Sequence, residues 1–310
     1  MAKTKQLDLQ GWDLETRILA TIAYFDVFEK GLSVDELEKL ILGEKAEPVK
    51  LQMSLNNLAS KVVEAEGQYF LKESSSRDVS SNQYAKEILS KARRLFGALR
   101  HLPFLKLVCV CNYSSFGIAD EHSDIDLFVV SQEKRIFLVK MFLTVCLHFL
   151  GLRRHGKKIS GRFCLSFYSD ESYLDMEDVL IERDIYFAYW FLALEPVYGE
   201  KKVWENLFKI NGEWLESYFD RIKLPNVDFQ MNMSVLAKFW EYVLGGKLGN
   251  YLENKLGKFF IDKYQKQKEY FPANASIIVA KNRLKYHNND RRELFKKQWF
   301  ERLERLGISE

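Results

Sequence analysis

The chain has 310 residues, 47% of them hydrophobic, 14% aromatic and 29% charged, with only 5 Pro and 16 Gly and a formal net charge of +3. That length is expected to hold two or three folding units, and the composition excludes a disordered, collagenous or low-complexity chain. Four cysteines, Cys109, Cys111, Cys146 and Cys164, lack the paired spacing of a zinc site and point to a reducing, cytoplasmic setting without a disulfide framework.

Met1 to Gln10 is polar and reads as no leader sequence. The longest apolar run, Ile136 to Leu152, is interrupted by Lys140 and His148 and is too short to span a bilayer, so a buried helix and no membrane partner are expected. Charge is unevenly spread. Residues 1–80 hold 10 Lys and Arg against 14 Asp and Glu, whereas residues 231–310 hold 16 against 9. A polyanion should therefore prefer the C-terminal third.

In chain order, residues 13–72 read as three helices and a short hairpin. Leu14, Ile18, Ile22 and Phe25 share a helical face. Ser33 and Glu36 form a capping box that opens a second helix, and Pro48 suits the first turn of a third. Ala65-Glu66-Gly67 is a tight connection between two short strands. This order resembles a winged-helix module, assigned to residues 1–75. DNA binding by it is not expected. The third helix offers Lys50, Gln52, Asn56, Asn57 and Lys61 without an arginine, on a net acidic segment.

The serine-rich stretch from Glu73 to Asn82 reads as a linker, followed by an amphipathic helix from Tyr84 to Leu99. Leu105 to Cys111 is a buried strand by its near-continuous apolar run, and Ile125 to Val130 is another. Helix is expected over Ile136–Leu150, strand over Arg162–Tyr168, and helices over Glu177–Leu194 and Val203–Phe219, with Pro196 and Gly199 as punctuation between the last two. After Pro225 the chain reads as helical to its end. The resulting expectation is an α/β (α+β) fold with a mixed sheet, an N-terminal winged helix and an α-helical C-terminal region. Residues 83–310 would fold without the N-terminal module, with residues 83–225 as one unit and residues 226–310 as a basic helical region.

The chemistry-bearing segment is Asn112-Tyr113-Ser114-Ser115-Phe116-Gly117 through Ser123-Asp124-Ile125-Asp126-Leu127. Carboxylates at i and i+2 of a strand point to one face, so Asp124 and Asp126 can converge on a hard cation that also binds substrate phosphates. Two aspartates opening a half-buried strand are costly unless such a charge compensates them.

Here the sequence resembles the DNA polymerase beta nucleotidyltransferase superfamily, whose signature is Gly-Ser, a short helix containing a glycine, then Ser-Asp-x-Asp and apolar residues. Gly117, Ser123, Asp124, Ile125, Asp126 and Leu127 fall in register with it. The order of elements is similar to that of a bacterial group with an N-terminal winged helix. The resemblance implies Mg²⁺ or Mn²⁺ at Asp124 and Asp126. It also implies a nucleoside triphosphate held by Ser114, Ser115, Gly117 and Ser123, and transfer of its nucleoside monophosphate to an acceptor left open among RNA, a small molecule and a protein. Asp170, at the end of the later strand and on the face of Ser166, is the expected third carboxylate. The basic loop of Arg153, Arg154, Lys157 and Lys158 is a candidate contact for phosphate or acceptor. Arg283, Lys285, His287, Asp290, Arg291 and Arg292 read as a solvated helix face, with the far wall of the cleft as the alternative. Asn112-Tyr113 stands where the family has Gly-Ser, which keeps open a catalytically inactive binding or regulatory protein of the same fold.

Overall fold

The computed structural model describes residues 5–74, 81–112, 116–220 and 234–308. The first helices form where the sequence caps them. Asp13 accepts the Thr16 N–H to start α1 (Leu14–Asp26), the Ser33–Glu36 capping box starts α2 (Val34–Leu40), and Pro48 opens α3 (Pro48–Asn57). Strands β1 (Val62–Ala65) and β2 (Gln68–Leu71) follow as a hairpin, turning through Glu66 and Gly67, both at positive φ. Leu32 adds a bridge to β2, exchanging two backbone hydrogen bonds with Tyr69.

A six-stranded mixed sheet organises the rest. It comprises β3 (Leu105–Cys111), β4 (Ile125–Ser131), β5 (Phe163–Asp170), β6 (Glu195–Gly199), β7 (Ser276–Val279) and β8 (Arg283–His287), in the order β6-β3-β4-β5-β8-β7. Only β4 and β5 run parallel. Their crossover is α5 (Ile136–Phe149), the helix expected from the long apolar run. On one face, Val108, Val110, Leu127, Val129 and Tyr168 pack with residues of α5, of α4 (Ser81–Ala98) and of α9 (Lys247–Gln267). On the other, Leu107, Cys109, Phe128, Val130 and Phe167 pack with α6 (Ile185–Leu192), α7 (Lys201–Leu215) and the N-terminal helices. Among the described residues no helix is long and apolar enough to cross a membrane.

Three expectations are corrected. The region after residue 225 is not helical throughout. It contains α8 (Val235–Gly245), α9 and α10 (Arg292–Arg305), but between the last two the β7–β8 hairpin extends the sheet. The punctuation at Pro196 and Gly199 is the edge strand β6, where proline costs little because its missing N–H faces away from the ladder. The helix expected over 177–194 begins only at Ile185, because Arg183 takes φ +52° and Asp184 caps the helix by accepting the Phe187 N–H.

Residues 83–310, expected to fold alone, share a core with α1 in the full chain. Ile18, Ile22 and Phe25 are fully buried in the cluster that holds Phe128 and Trp190. Tyr24 stacks on Tyr189 of α6 at 4.3 Å. Trp299 of α10, fully buried, donates its indole N–H to the Ala20 carbonyl at 2.9 Å, and Arg302 pairs with Asp26 at 2.6 Å. Trp299→Ala is expected to lower unfolding free energy by about 3–5 kcal/mol, the usual cost of emptying a large aromatic site. Urea unfolding of the full chain should show the N-terminal helices and the sheet melting together.

Candidate functional site

Strand β4 lies between β3 and β5, so its residues are covered on both edges as well as both faces. Asp126 sits second in it, opposite Cys111 on β3 and Cys164 on β5, with its side chain on the face that carries Phe128. Burial and the neighbouring Asp124 charge push its carboxyl up to about 6, against the opposing pull of Asn112. The Asn112 amide donates to Asp126 Oδ2 at 2.7 Å, and the Tyr186 hydroxyl of α6 in turn donates to Asn112 Oδ1 at 3.2 Å. Asp124, just ahead of the strand, is held by Arg154 at 2.6 Å.

Asn112 has φ +59°, the left-handed region in which Asn is the best tolerated residue after Gly. That turn aims its side chain at the carboxylate. Tyr113, Ser114 and Ser115 lie outside the described residues.

An oxygen of Asp124, an oxygen of Asp126 and Cys164 Sγ all lie within 4.8 Å of one another. Burial, reinforced by the two carboxylates, pushes the Cys164 thiol far up, so it is protonated while no cation sits there. The two carboxylates offer oxygen donors and Cys164 a sulfur. Cys164 was not singled out in the sequence. Its signal was available, since pairing the two parallel strands in register sets it beside Asp126.

The structure does not bring Asp170 to this group. Asp170 pairs with Ser131 at the other end of β4, six residues along β5 from Cys164, or about 20 Å away. There it accepts from Ser172 N–H, Ser172 Oγ and Lys134 N–H and holds a turn. The alternation that put it on the face of Ser166 also fails, because β5 shifts register against β4 between Asp126 and Phe128. Ser123 is engaged in a turn, donating its hydroxyl to Asp120 at 2.7 Å. Gly117 takes φ +72° in the same connection, facing the Lys30 ammonium of the N-terminal unit.

A cleft of about 750 Å³ opens from Asp126. Arg153, Arg154 and His155 line it, whereas Lys157 and Lys158 are exposed beyond it. Lys285, His287, Asp290, Arg291 and Arg292 line its far wall, from β8 and the loop leading into α10. That corrects the reading of a solvated helix face. Arg283 alone of that set turns away, buried against Asp178 and Tyr173. Arg292 joins Asp184 at 2.6 Å and Asp290 at 2.8 Å, a buried network that braces the wall against α6. Comparison with protein-family models, curated proteins and solved structures finds no match to this chain.

Two outcomes follow from this geometry. Both Asn112→Gly and Asn112→Ala lose the bond to Asp126, but only alanine is strained at φ +59°. The alanine variant should therefore be the less stable by about 1 kcal/mol in urea unfolding. His287 is held down to about 3 by burial and by the Lys285 charge, against an ordinary value of 6.5. The unfolded chain thus takes up its proton first. Stability should fall as pH drops below about 6.5, and His287→Phe should flatten that part of the unfolding-versus-pH curve.

Proposed function

We propose that this chain is a nucleotidyltransferase of the polymerase beta type, transferring a nucleoside monophosphate from a nucleoside triphosphate to an acceptor. The observation that carries this reading is the convergence of Asp124 on Asp126, which lines a large cleft together with Arg153, Arg154, Lys140 and Lys285. Asp124 and Asp126 would hold Mg²⁺ or Mn²⁺, which offsets charge on the transferring phosphoryl group. In the reaction an acceptor oxygen bonds to the α-phosphorus as the bond to the β-phosphate's bridging oxygen breaks. Pyrophosphate leaves with the electron pair, and the acceptor's proton passes to solvent. Arg154 is positioned to exchange its bond with Asp124 for one to a donor phosphate when the cation arrives.

The N-terminal unit supports a winged-helix reading through its three helices, its hairpin and the Leu32–Tyr69 bridge. The outer face of α3 exposes Val49 and Met53, which favours protein contact over a nucleic-acid backbone.

One observation favours a second reading, a nucleotide-fold protein without catalysis. Both carboxylates already have protein partners, Arg154 for Asp124 and Asn112 for Asp126. Titration with each of the four triphosphates, with and without Mg²⁺, separates the two. The transferase reading requires Mg²⁺-dependent binding, label incorporation from at least one triphosphate, and its fall to background in Asp124→Asn and Asp126→Asn. Wild-type incorporation retained in both variants would sink it.

A further inference from the structure

The cleft is not confined to one face of the sheet. β5 and β8 pair only through Phe167–Lys285, Tyr168–Leu284 and Ser169–Arg283. The earlier residues of β5 and the later residues of β8, Tyr286 and His287, line the cleft on opposite sides. The strands therefore part below Phe167, and the cavity passes between them from the Asp126 face to the face covered by α5 and α9.

On that second face stands Lys140 of α5. Its ammonium lies 4.9 Å from the ring centre of Tyr168, 4.3 Å from Tyr286 and 5.6 Å from Phe260. Lys140 has no carboxylate within ion-pair distance among the described residues, and neither have Arg153 and Lys263, which line the same lobe. Of the carboxylates lining the cleft, Asp290 is paired with Arg292, and Asp126 is hydrogen-bonded to Asn112 on the other face of the sheet. Three cations thus crowd one lobe without a counter-charge, and the aromatic faces that shelter Lys140 supply only part of one.

We propose that this lobe is an anion subsite in which Lys140, Arg153 and Lys263 anchor the acceptor through a phosphomonoester group. The assignment to the acceptor rests on the transferase reading. The donor's phosphates must lie against the cation at Asp124 and Asp126, on the opposite face, so a second cluster of cations meets a second anion. The anchoring phosphate is a handle, and the attacking oxygen is another group of the same molecule reaching back through the opening. Lys140 is set for this task in a further way. Burial and the charges of Arg153 and Lys263 hold it down to about 7, with the Cys164 thiol and the Tyr168 and Tyr286 phenols as its remaining titratable neighbours. An arriving phosphate restores its proton.

The test needs neither metal nor triphosphate, so its failure is separate from failure of the transferase reading. The full chain, stripped of divalent cations, is titrated at low ionic strength and pH 8 with ribose 5-phosphate and with a 5′-phosphorylated oligoribonucleotide. Binding is expected, with proton uptake seen as a heat that varies with the ionisation enthalpy of the buffer. Lys140→Met, which keeps the apolar stem, and Lys263→Ala at an exposed position should each weaken it about tenfold or more. Asp126→Asn should leave it intact. The tighter of the two ligands identifies the source of the phosphate. Absence of binding by both, or equal binding by wild type and both lysine variants, would overturn the subsite.

Discussion

A carboxylate on an inner strand of a covered sheet is reached by water only from the cleft that it lines, and the site is built around that constraint. Asp126 is offset by the Asn112 amide, which requires a left-handed turn at the end of β3. Asn112 is fixed from behind by Tyr186, at the start of α6. The same helix is capped by Asp184, which is charge-paired with Arg292, and Arg292 in turn holds Asp290 on the opposite wall. One chain of polar contacts thus runs from the carboxylate to the far side of the cleft. Asp184 and Arg292 are buried and the others half-buried, so displacement of one weakens the hydrogen bonding of the next.

Packing enforces the same dependence by other means. The N-terminal helices cover the sheet face that carries Asp126, and Phe25, Phe28, Phe116 and Tyr186 meet in a cluster of rings beside it. Phe116 belongs to the connection that delivers Asp124. The N-terminal unit therefore helps to shape the loop between β3 and β4. At the other side of the sheet, Glu253 of α9 accepts the N–H groups of Phe137 and Leu138, both at 2.9 Å, and closes the open end of α5. Lys140 lies one turn further along that helix.

Elements with strong local signals were legible in the sequence. Leu105–Cys111 and Ile136–Phe149 could be read because apolar residues fill them without interruption, and the caps at Ser33 and Pro48 because capping is local chemistry. The Asp124–Asp126 pair was legible for the same reason. The β7–β8 hairpin was not. Ser276-Ile277-Ile278-Val279 is four residues long in a basic region, and it becomes a strand by pairing with β8, which itself pairs with β5 over a hundred residues earlier. Asp170 was misplaced because strand alternation gives a face but no position along the strand, and a shift in register corrupts even the face. Asn112 read as a damaged motif, since its positive φ and its bond to Asp126 exist only once β3 and β4 are paired. Lys140 read as a break in an apolar helix. Its aromatic enclosure comes from β5, β8 and α9, which no local window contains.

The docking of α10 on α1 has a consequence for how the molecule is made. Trp299 and Ala20, joined by a hydrogen bond, are 279 residues apart. During synthesis α1 emerges with Ile18, Ile22 and Phe25 facing solvent, 279 residues ahead of the tryptophan that helps to complete its burial. Contacts of such long sequence separation form slowly and leave apolar surface exposed while they wait. The nascent chain therefore carries this part of its core unfinished while the residues between the two helices are made.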